Sequence, residues 1–353
     1  MRPQSGSRRA FAAAAAALGV GVALIIAEVA LRITDFSPGR VNSGYLQFGY
    51  QSGIPSFDED GVRTEGHPVR VRLFEPDPEV LWHPIPNTEF TNSRGFRGRV
   101  EYSELKGPNT IRILFVGDSC SFLGDPVYPE LVQRELADHF PGKTVECINS
   151  SSPGYTSFQG TKLLPRLQAW HPDAVVIYFG WNDHWPGQGG LTDTMQYSMG
   201  RGLRLAGLLQ AVRAQQRSQL INRVPLAQFE ANLQLMRDTV VNWHAVPVFI
   251  TAPTGFRSGA MPAWTYRFFG QFYHMDKRAV DAVPQQHQAY ATAVRTVAAH
   301  PPSVLVDAEQ DFRNAELAAA QIFRSDQIHL RTPGHERMAH LVATAVAAAL
   351  EHR

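Results

Sequence analysis

The sequence of 353 residues contains only two cysteines, Cys120 and Cys147. Two cysteines form at most one bridge, so a scaffold held by several disulfides is excluded, while the pairing of these two stays open. The chain also lacks an excess of charge of either sign, with 33 Lys and Arg against 32 Asp and Glu. Because a nucleic-acid surface needs a clustered positive excess, no nucleic-acid partner is expected.

Several common functional motifs are missing as well. No phosphate-cradling glycine loop, no zinc-ligand spacing and no Gly-x-Ser-x-Gly elbow occurs. His335 and His340 lie five positions apart. On a helix they would be separated by about 140°, so they cannot chelate one metal from one face. The sequence therefore predicts neither a metal nor a cofactor.

One long apolar run is present, at the N-terminus. Basic residues within positions 1–9 precede residues 10–31, which as a helix would extend roughly 33 Å, enough to span a bilayer core. Basic residues on a short flank favour its staying in the cytoplasm. We expect a cytoplasmic N-terminus, a single transmembrane anchor and an extracytoplasmic (periplasmic) remainder. A cleaved signal peptide, whose best site at Ala30 is disfavoured by Glu28, and a soluble Ala-rich helix are the alternatives.

Residues 32–108 are rich in Pro, Gly, Asn and Asp and show no sustained helical period. They predict a stalk and a few short strands, with a turn at 92–98 in which Arg94 or Arg97 could serve structure or binding. A second irregular stretch, 184–223, predicts an insertion with helical character at 203–212. An insertion of this length is either a lid or binding loop or a surface excursion.

From Thr110 onward, short β-branched and apolar runs alternate with helical patterns. The strands are expected at 111–116, 144–148, 174–179, 246–251 and 303–306, and the helices at 127–140, 158–170 (irregular around Pro165), from 225, at 283–300 and after an N-cap at Thr332. Such alternation indicates a parallel sheet covered on both faces. Residues 109–353 are therefore predicted to form a three-layer α/β/α domain.

Polar and glycine-rich segments follow these strands. They are Gly117-Asp118-Ser119, Asn149 to Gly154, Gly180-Trp181-Asn182-Asp183, and, beyond the fifth strand, Asp326-Gln327-Ile328-His329. In open parallel sheets, ligands bind beyond the carboxyl ends of the strands, so these segments should meet at one edge. A serine hydroxyl becomes a useful nucleophile when a histidine takes its proton and a carboxylate orients that histidine.

The four segments, in this order, resemble the sequence blocks of the SGNH (GDSL-like) hydrolases. The resemblance covers about residues 110–353 and implies a flavodoxin-like sheet. It implies that Ser119 is the nucleophile, His329 its base and Asp326 the partner of that histidine. It also implies that the oxyanion is held by the backbone N–H groups of Ser119 and Gly154 and by the Asn182 amide. The residues after the nucleophile, Cys120 and Ser121, depart from the Leu and Thr that many members carry.

Each of these residues also has an ordinary structural explanation. Ser119 or Asp118 could cap a helix, Gly154 and Asn182 could serve turns, and Asp326 with His329 could be a surface pair. Cys120 could be a thiol nucleophile or a small buried residue. Aromatic residues could line a sugar cleft or pack in the core; they are Trp181, Trp185, Trp264 and Tyr266.

The anchor and the Asn-Ser-x-Gly-Phe-Arg segment at 92–97 resemble those of membrane-attached bacterial members of the family, some of which belong to envelope polysaccharide systems. The expected function is a serine esterase that acts on acyl esters, O-acetyl or short-chain, of a cell-envelope glycan or glycoconjugate. One alternative is an O-acyltransferase of an envelope polysaccharide that uses the same triad. Another is a non-catalytic glycan-binding or assembly protein on the same fold.

Overall fold

The computed structural model describes residues 5–34, 73–215 and 220–351 of the chain. Helix α1 (Ser5–Ile33) opens the chain. Among the described residues its segment Arg8–Ile33 is the one helix long and apolar enough to cross a membrane, and its most apolar window is not buried. It is thus an N-terminal apolar helix of the kind found in signal anchors and signal peptides. Residues 35–72 of the predicted stalk lie outside the described residues.

Residues 73–108, which directly precede the main domain, form an accessory layer on it. An antiparallel hairpin is made by β1 (Phe74–Asp77) and β2 (Leu81–Pro84). Trp82 is buried, and its indole N–H donates to the carbonyl of Pro153 (3.2 Å). In the turn at 92–98, Arg97 forms an isolated bridge with Asn149. The hairpin and the turn therefore support loops at the edge of the main sheet.

The centre of the domain is a five-stranded sheet. Its strands are β3 (Thr110–Gly117), β4 (Thr144–Asn149), β5 (Ala174–Tyr178), β6 (Val246–Ile250) and β7 (Val304–Val306). Every neighbouring pair is parallel, in the order β4-β3-β5-β6-β7. This is the flavodoxin-like order, so the predicted α/β fold with a parallel sheet is confirmed. All five carboxyl ends lie at one edge.

Helices cover both faces of this sheet. The α-helices after α1 in the described residues are α2 (Ser119–Phe122), α3 (Tyr128–His139), α4 (Ser157–Leu163), α5 (Asp193–Arg201), α6 (Arg204–Gln215), α7 (Leu226–Asn242), α8 (Ala263–Tyr273), α9 (Lys277–Asp281), α10 (Val283–Ala298), α11 (Ala308–Arg313), α12 (Ala319–Ile322) and α13 (Thr332–Glu351); α5 and α6 belong to the insertion. Alternate residues of β3 enter different cores: Ile113 and Phe115 pack with α3 and α13, whereas Leu114 and Val116 pack with α4, α7 and α10. One core lies on each face of the sheet, between the sheet and the helices, so the domain has three layers: helices, sheet and helices.

Several local details refine the sequence-based prediction. The expected helix at 158–170 is α4 followed by a 3-10 segment, Leu164–Trp170, with its proline in the first turn. The closing helix includes Thr332 instead of beginning after it. Cys120 and Cys147 are both buried and unpaired, which answers the question of a bridge between them.

The predicted insertion carries two helices, α5 and α6, and the helical character expected at 203–212 is that of α6. Its two ends are joined by backbone hydrogen bonds: Arg223 N–H donates to Trp185 O (2.7 Å), and Asp193 N–H donates to Arg223 O (2.9 Å). The insertion therefore leaves and re-enters the domain at one place, beside the end of β5.

Candidate active site

The loop after β3 presents one polar side chain to solvent. Asp118 is buried and caps α2, since its carboxylate accepts the N–H of Cys120 (2.8 Å). Ser119, the next residue, is partly exposed. Gly117 permits the tight turn, because a Cβ there would lie 2.8 Å from Ser121 Oγ and 3.0 Å from Tyr178 O. The turn thus places the Ser119 hydroxyl at the carboxyl edge of the sheet.

Ser119, His329 and Asp326 form one hydrogen-bonded chain. His329 Nε2 lies 2.9 Å from Ser119 Oγ, and His329 Nδ1 lies 2.7 Å from Asp326 Oδ2. Since a carboxylate only accepts, Nδ1 carries the ring proton and the Nε2 lone pair faces the serine hydroxyl. The side chains of His329 and Asp326 are 20% and 16% exposed, so the chain is reachable from solvent.

The short loop that carries His329 is fixed by backbone contacts. Asp326 Oδ1 accepts the N–H groups of Ile328 and His329, both at 2.9 Å. Burial alone would raise the pKa of Asp326, but the charge of His329 and these hydrogen bonds hold the pKa below its usual value. Gln327 adopts a positive φ of 62° and its carbonyl accepts the N–H of Gly255 (2.9 Å). Asp326 is therefore an ionised partner in a rigid turn.

The loop after β4 is bonded to the loop of Ser119. Ser152 N–H donates to Gly117 O (3.1 Å), and Asn149 Nδ2 donates to Ser121 O (2.7 Å). Gly154, at the end of this loop, has a φ of 79°, a conformation in which other residues are strained. The structure therefore brings Gly154 and Ser119 onto two loops that are directly hydrogen-bonded to each other.

Asn182, from the turn after β5, also reaches the loop of Ser119. Its Nδ2 donates to Tyr155 O (3.0 Å) and to Asp118 Oδ2 (3.2 Å). The turn itself is held by Asp183, whose buried carboxylate accepts the N–H of Gly180 (3.1 Å) and both the N–H (2.8 Å) and hydroxyl (2.6 Å) of Ser157. All five sequence-predicted site residues thus lie on four loops at one edge of the sheet.

Two buried carboxyl groups lie beneath these loops. Burial raises the pKa of Asp118 to about 6, although the N–H of Cys120 opposes the change. Burial likewise raises the pKa of Asp183 to about 7, against the hydrogen bonds from Ser157. Both groups bond to backbone or amide donors of the loops, so their part in the site is to fix loop geometry.

The structure adds one pair that sequence reasoning missed. Arg223, 11% exposed, makes a two-pronged ion pair with Asp193, 1% exposed, at 3.0 and 2.8 Å. A third bond runs from Arg223 Nη1 to Gly154 O (2.9 Å), and Asp193 also accepts the hydroxyl of Thr156 (2.8 Å). This pair ties the insertion to the Gly154 loop. Neither residue belongs to a block or a periodic pattern, so the sequence carried no signal for it.

Other residues considered from the sequence serve structure. Arg97 donates to Phe122 O (2.9 Å) and Gly124 O (2.8 Å), which resolves its role in favour of a structural turn. Cys120 is buried, and burial raises the pKa of its thiol. His335 contacts Tyr128 N and Leu123 O inside the fold. No group of three or more metal-ligating side chains occurs within the described residues.

The aromatic residues considered for a sugar cleft pack within the fold. Trp181 and Trp185 are buried, and Trp181 stacks on His287 with ring centroids 4.2 Å apart. Trp264 is partly buried and its indole N–H donates to Ser325 O (3.2 Å). These contacts make the aromatic cluster a support for the loops of the site.

The chain was also compared with known protein families and solved structures. The sequence matches the family model described as GDSL-like Lipase/Acylhydrolase over residues 115–337. Similar solved structures include a lipase/acylhydrolase from Enterococcus faecalis, with 20% identity, coverage of 67% of this chain and 96% of the other, and a TM-score of 0.45. An acetylxylan esterase from Geobacillus stearothermophilus has 18% identity, coverage of 67% and 94%, and a TM-score of 0.44.

A GDSL-like lipase from Bacteroides thetaiotaomicron has 16% identity, coverage of 70% and 93%, and a TM-score of 0.44. A search of curated proteins gave no match. The family model, by contrast, covers more than half of the chain, including the loops of Ser119, Gly154, Asn182 and His329. The chain therefore belongs to the GDSL-like lipase/acylhydrolase (SGNH) family and is a carboxylic ester hydrolase of that family.

Proposed function

We propose that this protein is a membrane-anchored serine esterase that removes O-acetyl or other short acyl groups from a cell-envelope glycan or glycoconjugate. Ser119 is the nucleophile, His329 the base and Asp326 the group that orients the base. The observation that carries this proposal is the continuous chain of two hydrogen bonds, 2.9 and 2.7 Å, from the serine hydroxyl to the carboxylate.

The geometry supports acyl transfer through a covalent intermediate. Ser119 Oγ attacks the ester carbonyl carbon as its proton passes to His329 Nε2, and Asp326 stabilises the imidazolium that results. Collapse of the tetrahedral intermediate breaks the bond to the alcohol, which leaves with the proton from His329. A water molecule then attacks the acyl carbon while His329 takes its proton. The bond between the acyl carbon and Ser119 Oγ breaks, His329 returns the proton to Oγ, and the free acid is released.

The negative charge that develops on the carbonyl oxygen needs fixed donors. We assign this role to the backbone N–H groups of Ser119 and Gly154 and to the side-chain amide of Asn182. An oxyanion beside Ser119 would compete with the Asp118 carboxylate for one amide hydrogen of Asn182, a contact of 3.2 Å in this structure. A donor in such a position contributes about 3 kcal/mol to transition-state stabilisation.

The N-terminal helix supports the cellular placement. We propose that residues 1–9 are cytoplasmic, that residues 10–31 of α1 span the membrane uncleaved, and that residues 32–108 carry the hydrolase domain, 109–353, on the extracytoplasmic side. The exposed arginines that precede the apolar run favour this orientation. An enzyme anchored there meets esters of the cell envelope, and this placement is the basis for the glycan substrate.

The test uses the full chain in detergent micelles with two kinds of substrate. One is a series of p-nitrophenyl esters from acetate to decanoate, and the other is an O-acetylated polysaccharide from which acetate release is measured. We expect a preference for the shortest acyl chains and release of acetate. The Ser119→Ala variant should do neither, whereas Ser198→Ala, a change at an exposed serine of α5, should match the wild type.

A preference for long acyl chains would contradict the proposed substrate while leaving the serine mechanism in place. Acetyl transfer to an added oligosaccharide, with little free acetate, would support the acyltransferase alternative. A folded wild type inactive on every ester would contradict the proposed activity as a whole.

A further inference from the structure

The insertion differs in charge from the rest of the chain. Between Asp193 and Glu230 there is no acidic residue, although this stretch contains arginines at positions 201, 204, 213, 217 and 223. Over the whole sequence, by contrast, acidic and basic residues balance. The insertion is therefore a local basic region, and only Arg223 among its arginines forms the buried pair with Asp193.

Helix α6 within the insertion exposes large apolar side chains and buries small ones. Its small residues Gly207 and Ala214 are buried, while Leu209 and Val212 are 54% and 45% exposed. Leu203, just before the helix, is 61% exposed. A surface helix ordinarily buries its apolar stripe. Leu205 and Leu208 are partly buried, but Leu203, Leu209 and Val212 are exposed, and we name these three residues the leucine face.

The apolar N-terminal helix binds directly to the start of α6. The carboxylate of Glu28 accepts the backbone N–H groups of Arg204 (3.0 Å) and Leu205 (2.9 Å). At a helix N-terminus such groups have no acceptor within the helix itself. Arg32 completes the contact, since it donates to Glu28 (2.7 Å) and to Gly202 O (3.4 Å). These bonds fix α6 beside the C-terminal end of α1.

The position of Glu28 sets the depth of this contact. Measured along the helix from the start of the apolar run at Ala10, Glu28 lies about 27 Å away at 1.5 Å per residue. A bilayer core is about 30 Å thick, so Glu28 reaches the outer boundary of the hydrocarbon when α1 spans it. The first turn of α6, bonded to Glu28, then lies at the same level.

We propose that the leucine face of the insertion is a membrane-binding surface that enters the outer interface of the bilayer crossed by α1, with the neighbouring exposed Arg213 directed to lipid phosphates. This inference rests on the membrane anchoring in the proposed function. Amphipathic helices with apolar and arginine-rich faces bind in this manner, and anionic lipids strengthen the binding. Because Arg223 joins the insertion to Gly154, the surface also holds the proposed site close to the membrane.

The experiment uses the full chain in liposomes of phosphatidylcholine and phosphatidylglycerol. A single cysteine is introduced at Leu209, labelled with an environment-sensitive fluorophore, and quenched by lipids that carry a nitroxide on the acyl chain. Leu235→Cys on α7, with an exposure of 55% against 54% for Leu209, is the matched control, and Leu18→Cys within α1 is the membrane reference. The native cysteines are buried, and unmutated protein gives the labelling background.

We expect the label at Leu209 to be quenched about threefold more than that at Leu235, because an interfacial helix buries its apolar face among the acyl chains. In a Glu28→Gln background, the quenching at Leu209 should fall while that at Leu18 stays constant. Equal quenching at Leu209 and Leu235, with strong quenching at Leu18, would overturn the membrane surface and leave the anchor intact.

Weak quenching at Leu18 would overturn both the anchor and the surface that rests on it. Ester hydrolysis is measured on the same liposomes with unlabelled protein. Failure of the esterase proposal is thus read separately from failure of the membrane surface.

Discussion

The buried pair of Arg223 and Asp193 gives the sharpest quantitative prediction for this fold. In Arg223→Met, the Asp193 carboxylate, 1% exposed, would lose two charge-assisted hydrogen bonds and keep that from the Thr156 hydroxyl. Removing one partner of a buried ion pair leaves an uncompensated charge, which costs about 3–5 kcal/mol. We expect the free energy of unfolding to fall by about this amount.

The Arg223→Met change should also affect the position of the Gly154 loop, which carries a proposed oxyanion donor. Gly154 O would lose the donor that now lies 2.9 Å away. A hydrogen bond of about 1.4 kcal/mol that positions the loop corresponds to a tenfold change in rate. We therefore expect kcat for p-nitrophenyl acetate to fall about tenfold with KM nearly unchanged, since a displaced N–H affects the transition state more than the bound ester.

Controls separate positioning from general loss of stability. The double variant Arg223→Met with Asp193→Leu removes both charges, so it should recover most of the lost stability while kcat stays low. Arg223→Lys keeps the charge without the two-pronged geometry. Its stability and kcat should lie between those of the wild type and of Arg223→Met. Denaturant unfolding followed by intrinsic fluorescence gives the stabilities. If Arg223→Met stays within about 0.5 kcal/mol of the wild-type stability, the size of an ordinary surface change, the buried pair does not stabilise the fold as expected. An unchanged kcat would show that Arg223 does not position the Gly154 loop.

Three further predictions concern other parts of the fold. Asn182→Ala should lower kcat about 10²–10³-fold with an unchanged circular dichroism spectrum, as expected for loss of one oxyanion donor; a loss below tenfold would argue against that role. Gly160→Ala should destabilise the protein by about 1–3 kcal/mol through overpacking, because its Cβ would lie 2.6 Å from the buried Phe179 ring. Gly200→Ala, in open space on α5, is the control and should not destabilise, as a stability assay will show. Burial lowers the pKa of His287 to about 4, so unfolding takes up a proton at pH values below the ordinary histidine pKa. The free energy of unfolding should therefore fall as the pH drops from about 6.5 to 4. Unfolding titrations at several pH values should show a shallower fall in His287→Gln.

Much of the domain could be predicted because its central strands are buried on both faces. Runs such as Ile113–Val116 and Ala174–Phe179 are continuous and apolar, a pattern that predicts interior parallel strands. The residues after them then identified the edge at which Ser119 and Asn182 lie. His329 was found through its spacing from Asp326 and its place before the last helix.

The contacts that the insertion makes with the rest of the chain could not be predicted. Arg223 and Asp193 are 30 positions apart at opposite ends of an irregular stretch, and no periodicity links them. Glu28 bonds to Arg204 across 176 positions, whereas the sequence indicates for Glu28 only that it disfavours cleavage at Ala30. The pairing of such groups depends on how the insertion folds back, which neither local propensity nor strand periodicity determines.

The central claim is that Ser119 is a nucleophile activated by His329 and Asp326. The most direct measurement treats the full chain with a fluorophosphonate probe and maps the adduct by mass spectrometry, beside the variants Ser119→Ala, His329→Ala and Ser198→Ala. We expect one adduct on Ser119, which is abolished in Ser119→Ala and normal in Ser198→Ala. Labelling should be at least about a hundredfold slower in His329→Ala, which lacks the general base. An adduct on another residue, or labelling that does not depend on His329, would contradict it.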